Sequence, residues 1–267
     1  METAWKAIDI GVNLFCPQFA GREEEIIADA GSAGIGVILT GGDPETSARS
    51  LAFAEGRDGV FATAGIHPHD ADGGGVDAIR ALLASFHPAA IGECGLDYDR
   101  MYSTRENQLA VFDALLGLSE ETNLPLFLHE RAAHRDFIDL LKAHPSCAER
   151  AVVHCFTGTA EEALRCLRIG CCIGVTGWVC DERRNQDLLE ALKVIPADRL
   201  MAETDAPYLL PRGLRLKNPN LPVYLPHVIR RLAQEKGMEE EAMQELLLAT
   251  TLRFFSLPSI GGTPALC

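Results

Sequence analysis

Short apolar runs return along this chain at a steady interval, and that interval restricts its possible folds more than any other feature. They cover Ala7–Val12, Gly36–Thr40, Phe61–Gly65, Ala90–Glu93, Leu126–His129, Ala151–Cys155, Cys172–Thr176 and Leu200–Glu203. Their starts lie about 20 to 35 residues apart, the length of one strand-plus-helix unit. Most are continuous rather than alternating, as strands covered on both faces are. Helical patterns fill the intervals. Glu106–Leu118 carries Leu109, Phe112, Leu115 and Leu116 on one face, and Leu225–Lys236 carries Leu225, Val228, Ile229 and Leu232, with Pro226 suited to a first turn. Ala160–Arg168 shows a similar stripe, Asp43-Pro44 and Ser103-Thr104 read as helix starts, and a last helix is expected near Glu239–Leu248. Eight such units predict an α/β chain forming one (β/α)8 TIM barrel over residues 1–267. An open doubly wound sheet is the competitor, but no glycine-rich dinucleotide fingerprint follows the first run.

Composition narrows the function. The 267 residues include 24 Lys+Arg against 38 Asp+Glu, a formal charge of −14, with 47% hydrophobic and 23% charged residues. This is a globular balance without an uncharged apolar stretch of roughly 18 residues to cross a membrane. The start Met1-Glu2-Thr3-Ala4-Trp5-Lys6 puts an acid where a secretory leader needs bases, so a cytoplasmic location is expected. Nine cysteines with no C-x-x-C pair read as reduced thiols. The net charge excludes broad electrostatic attraction to nucleic acid, but not an enzyme with a locally basic or metal-bearing site.

The ionisable residues collect where the runs end. Asn13 follows the first, His67-Pro68-His69-Asp70 the third, and Gly92-Glu93-Cys94-Gly95-Leu96-Asp97 ends the fourth. His129 closes the fifth, His154 lies within the sixth, and Thr204-Asp205-Ala206-Pro207 follows the eighth. In a barrel these converge on the C-terminal face, where barrel enzymes carry their sites. Glu93 and Asp205 taken singly could be helix caps, and a single histidine could be a hydrogen-bonded loop residue. A polar ring directly after Leu126-Phe127-Leu128 and another after Val152-Val153, in adjacent units, point instead to a divalent-metal hydrolase. His87 and His144 each precede a proline before the next strand and belong to the other end of the barrel.

Several strings resemble the TatD family of metal-dependent nucleases. They are DIGVNL at 9–14, AGIHPH at 64–69, IGECGLD at 91–97, HCFTG at 154–158, GVTGWVCDERR at 174–184 and ETDAPYLLPR at 203–212. The resemblance runs in order over nearly the whole chain. It implies a TIM-barrel 3′-5′ exonuclease that prefers single-stranded DNA and RNA, a magnesium cofactor, a cytoplasmic location and a role in repair of oxidative DNA damage. It also implies Glu93, His129, His154 and Asp205 as metal ligands, with Asp205 taking the proton of the attacking water. His67 would contact the scissile phosphate or protonate the leaving oxygen. Many relatives have His-x-His where Gly11 and Asn13 stand here, so one firmly bound ion is expected, with a second held weakly by Glu93 and Asp205. Leu221 and Ala132 replace acids of the family pattern and bear on substrate choice. Imidazole ligands alone would favour zinc or manganese; the resemblance implies magnesium, with manganese as a substitute.

Substrate contacts must come from a local patch. Arg100, Arg131, Arg183, Arg184, Arg212, Arg215 and Lys217 fall in loops after the strands, with Tyr98, Tyr102, Trp178 and Tyr208 among them. Of these, Arg131 and Arg212 are assigned to phosphates, and Trp178 and Tyr208 to stacking on unpaired bases. The expected partner is single-stranded DNA or RNA, with no membrane, and the chain is expected to be a monomer. A metal-dependent deacylase, such as a D-aminoacyl-tRNA deacylase, is the alternative activity, and a barrel that binds without turnover is a third reading.

Overall fold

The computed structural model describes residues 5–213 and 219–258. Eight parallel strands pair in chain order: β1 (Ala7–Val12), β2 (Ile35–Leu39), β3 (Val60–Ala64), β4 (Ala90–Asp97), β5 (Leu126–Arg131), β6 (Ala151–Val153), β7 (Cys172–Val175) and β8 (Leu200–Ala202). The seam between last and first is closed by a parallel bridge from Val12 to Ala206 and by the Asn13 amide donating to the Ala206 carbonyl at 2.8 Å. The helices are α1 (Glu23–Ser32), α2 (Pro44–Ala54), α3 (Val76–Ser85), α4 (Arg105–Thr122), α5 (His134–Ala143), the single turn α6 (Pro145–Ala148), α7 (Ala160–Arg168), α8 (Gln186–Val194), α9 (Leu225–Lys236) and α10 (Glu240–Phe254). This is the (β/α)8 barrel that the spacing of apolar runs predicts.

Two cores follow from the alternation of strand side chains. The inner one draws Ile8 and Ile10 from β1, Ile38 from β2, Ala90 from β4, Phe127 from β5, Val152, Cys172 and Met201 from β6 to β8, and is joined by Phe255 just after α10. The outer one joins strands to helices through side chains such as Leu96, Phe112, Leu128 and Phe137. Helix starts follow local chemistry. Asp43 and Thr46 form a reciprocal cap on α2 with Pro44 at its first turn, and Thr159 with Glu162 does the same for α7.

The elements differ from expectation at their ends, for identifiable reasons. β4 continues past Glu93 to Asp97, and β5 past His129 to Arg131, because their pairing resumes beyond an irregularity between Gly92 and Cys94: Gly95 faces His129 and Asp97 faces Arg131. The polar residues there are strand residues, not loop residues. α4 runs four residues beyond Leu118 and stops where Asn123 takes a left-handed conformation, φ 57°. α10 extends to Phe254 because Leu252, beyond the expected end at Leu248, packs with Leu248 against the inner core.

Candidate metal centre

Asp9, Glu93, Asp97 and Glu203 are buried carboxylates, and among the described residues no lysine or arginine is buried. Buried anions persist when they are paired, hydrogen-bonded or bound to a cation. Here the partners are imidazoles. Glu93 Oε1 is the hub, 2.8 Å from His154 Nε2, 3.0 Å from His129 Nδ1 and 3.2 Å from His67 Nε2. Those separations match the edge of about 3 Å between adjacent ligands of an ion bound at about 2.1 Å.

The second nitrogen of each ring decides what it can offer. His154 Nδ1 lies 3.2 Å from Glu203 Oε2, and His129 Nε2 lies 3.2 Å from Asp97 Oδ2. A carboxylate only accepts, so these nitrogens carry protons; the Glu93-facing nitrogens, His154 Nε2 and His129 Nδ1, donate to Glu93 while the rings are imidazolium and would offer lone pairs to a cation that displaces those protons. His67 is different. Its Nδ1 accepts the His69 amide at 3.0 Å, so its neutral ring carries the proton on Nε2 and donates toward Glu93. His67, Glu93 and His129 are close enough to hold an ion together, but the tautomer makes His67 a donor rather than a ligand. Glu93, His129 and His154 are thus the candidate ligands, the two ring nitrogens lying 3.0 and 2.8 Å from one oxygen of Glu93. Asp205 stands beside them, its Oδ1 accepting from Asn13 Nδ2 at 2.9 Å.

Electrostatics follow the same map. Burial opposes the Glu93 carboxylate, but the charges of His154 and His67 and hydrogen bonds from His129 and His154 hold it well below the ordinary range. Burial likewise opposes charge on Asp97, and hydrogen bonds from His129 and His69 overrule it. His129 and His154 are raised: burial disfavours their cations, and their carboxylate neighbours outweigh it. Burial lowers His67. It lifts Asp205 to about 7, and lifts Asp9 to about 8 despite hydrogen bonds from Thr204 and Gly11. The cluster balances its carboxylates with imidazole protons, which a divalent ion would replace.

Asp97 and Glu203 face the rear nitrogens of His129 and His154, although in the sequence both stand only as parts of longer strings. The available signal was alternation: Glu93, Gly95 and Asp97 share one side of β4. Gly95 (φ 142°) is what lets that strand lie against β5, since a Cβ there would sit 1.9 Å from the His129 carbonyl oxygen.

The centre lies at the floor of a bowl of about 680 Å³ whose wall includes Arg100, Arg131, Trp178, Arg184 and Tyr208. Arg131 approaches Asp99 at 3.4 Å, and its guanidinium stands 5.8 Å from the Trp178 ring, whose face Arg184 covers at 3.7 Å. Tyr208 is half-exposed at the rim, and Tyr102, 67% exposed, sits edge-on to His69. Arg212 and Arg183 line a neighbouring cleft rather than the bowl. Tyr98 is committed elsewhere, its hydroxyl donating to Asp136 at 2.7 Å. Arg215 and Lys217 lie outside the described residues. His144 is remote from the bowl, held between Asp113 and Glu120.

Comparison with known proteins adds an independent line. The family described as TatD related DNase matches residues 8–256. A protein of Pectobacterium parmentieri named 3′-5′ ssDNA/RNA exonuclease TatD is 44% identical over 257 residues, covering 93% of this chain and 99% of its own length. One of the same name from Klebsiella pneumoniae is 43% identical over 256 residues, covering 93% and 97%. Among solved structures, the TatD homologue YjjV of Escherichia coli superposes with a TM-score of 0.86 at 29% identity, covering 95% of this chain and 99% of its own. A TatD family hydrolase of Entamoeba histolytica gives 0.84 at 26%, covering 96% and 99%.

Proposed function

Because the chain belongs to the family of TatD-related DNases, we propose that it is a metal-dependent 3′-5′ exonuclease that hydrolyses phosphodiester bonds of single-stranded DNA and RNA. The supporting observation is the convergence of His129 Nδ1 and His154 Nε2, each fixed from behind by a carboxylate, on one oxygen of Glu93. The names of the relatives favour this reading over a deacylase.

Glu93, His129 and His154 would hold the ion, with Asp205 beside it. When bound, it supplies Lewis acidity toward a phosphodiester oxygen and lowers the pKa of water. Asp205 takes the proton of the attacking water, steadied by the Asn13 amide on Oδ1. His67 turns its Nε2 proton from Glu93 to a phosphate oxygen or to the departing oxygen. Arg131 and Arg184 offer phosphate contacts, and Trp178 and Tyr208 offer faces for unpaired bases. Magnesium is the proposed ion, with manganese as substitute. One ion binds firmly and a second weakly, since Gly11 has no ligand atom and Asn13 is engaged with Asp205. The described cysteines are all free, which supports a reducing, cytoplasmic setting.

The test uses chelator-stripped protein with 3′- and 5′-labelled single-stranded oligonucleotides, with and without magnesium or manganese. Metal-dependent stepwise shortening from the 3′ end is expected, and Glu93→Ala or His154→Ala should reduce it to the level of chelated wild type with the fold intact. Full activity in both variants overturns the site. No cleavage by wild type with either metal, alongside hydrolysis of an aminoacyl ester, replaces the nuclease with the deacylase.

A further inference from the structure

Asp181 follows the short helical turn after β7 and is nearly fully buried, with 3% of its surface exposed. Three arginines converge on this carboxylate. Arg183 donates to both oxygens at 2.8 and 2.7 Å, Arg184 Nε to Oδ2 at 2.9 Å, and Arg212 Nε approaches Oδ2 at 3.4 Å. Their side chains remain 48 to 60% exposed. One buried carboxylate thus fixes three arginines; with Glu182 beside them, these five groups still leave one positive charge on the rim of a chain whose overall charge is −14.

The fan is also a wall between two hollows. Arg184, on Trp178, faces the catalytic bowl, whereas Asp181, Glu182, Arg183 and Arg212 line a separate cleft of about 460 Å³ whose far side is α9, with Arg230 paired to Glu240 and Arg231 to Glu235. A third hollow opens from the bowl on the other side, and its charged lining is Asp43, Asp70 and Asp72, with no lysine or arginine. A polyanion leaving the bowl meets repulsion at one exit and guanidinium groups at the other.

We infer that the cleft between the Asp181 fan and α9 is a second binding site, which takes the phosphodiester backbone of a single-stranded nucleic acid on the 5′ side of the scissile bond. The assignment rests on the exonuclease reading above: when the terminal 3′ nucleotide occupies the centre, the only chain left to leave the bowl is the 5′ continuation. Arg183 and Arg212 contact successive phosphates through the N–H groups that Asp181 leaves free. Asp181 is a positioning residue: it aims the guanidinium groups and does not touch substrate.

Binding of a 5′-labelled decathymidylate in chelator, followed by fluorescence anisotropy over a range of salt, tests this without turnover. Single strands lose affinity with a log–log slope of about 0.7 per phosphate contact, so Arg183→Ala/Arg212→Ala should lower the wild-type slope by about 1.4. Asp181→Asn separates aim from charge. It makes the rim more positive, so a purely electrostatic rim would bind more tightly, whereas a positioning role predicts several-fold weaker binding. Its thermal unfolding is measured in parallel, and the arginine double variant carries the test if Asp181→Asn does not fold. An unchanged slope in the double variant overturns the cleft, and tighter binding by folded Asp181→Asn overturns the positioning role. Cleavage assays on the same proteins separate the two readings. Wild type that binds with the expected slope but never cleaves removes the nuclease and leaves the cleft; wild type that cleaves while the double variant keeps its slope removes the cleft and leaves the nuclease.

Discussion

At the scale of single residues, the centre is a set of proton positions as much as a set of ligands. Glu203 keeps the proton of His154 on Nδ1 and accepts the Cys155 amide at 2.5 Å, so it fixes both the ring and the turn that carries it. Glu203→Gln should therefore weaken metal binding by about 10- to 100-fold, the usual cost of losing the carboxylate behind a ligand histidine. Calorimetric titration with manganese measures it, and wild-type affinity in the variant would refute the role. The proposed ligands Glu93, His129 and His154 stand out in the sequence because Glu93 and His129 interrupt apolar strands and His154 directly follows one. Glu203 and Asp97 do not, because their roles depend on which nitrogen of a distant ring they face. Gly11 shows the same limit from the other side. The missing histidine was plain to read, but the reason is spatial: a Cβ at that position would lie 2.7 Å from Glu203 Oε2 and 3.2 Å from Phe127 Cζ. In this chain, Glu203 and Phe127 occupy the space that a side chain at position 11 would need.

At the scale of elements, β4 and β5 show what a pattern of apolar runs cannot report. The runs locate both strands but stop at Glu93 and His129, since polar residues ordinarily mark loops; inter-strand pairing carries both strands onward to Asp97 and Arg131. Glu93 and Asp97, four positions apart on β4, thus put two carboxylates on one side of the strand, both facing His129. The opposite end of the barrel holds a pH-dependent tie between elements. His144, after α5, meets Asp113 and Glu120 of α4 at 3.0 Å each. Burial disfavours the imidazolium, but hydrogen bonds to Asp113 and Glu120 outweigh it and raise the pKa above the ordinary 6.5 of histidine. Because the folded value is the higher one, the stabilisation is complete below about 6.5 and fades as pH rises through the folded pKa. Hydrogen bonds from His144 and Ser146 lower the Glu120 pKa, so that carboxylate stays charged across the same window. His144→Asn should lower the melting temperature more at about pH 5.5 than at about pH 9. Equal losses at the two pH values would show that the tie does not titrate.

At the scale of the whole molecule, the top of the barrel carries a standing excess of buried negative charge, and the fold tolerates it through protons on His129 and His154. A divalent ion bound by the folded state alone stabilises by mass action, about 2.7 kcal/mol at a hundred times its dissociation constant. Magnesium or manganese should therefore raise the melting temperature of stripped wild type in a concentration-dependent way and leave Glu93→Ala nearly unmoved. Equal shifts in both proteins would place the stabilising ion elsewhere. The barrel itself was readable from spacing alone, since eight continuous apolar runs leave few ways to cover both faces of every strand. The charge map around its rim was not, because Asp181 and its three arginines become a single unit only when the loops after β7 and β8 meet. The seam has a consequence in time. Asn13 and Asp205 are 192 residues apart in sequence, and they touch only once β8 has closed against β1. A chain still emerging from a ribosome, surrounded by single-stranded message, would hold Glu93, His129 and His154 before it holds Asp205. On the proposed mechanism, the ability to cut arrives last, with the completed ring.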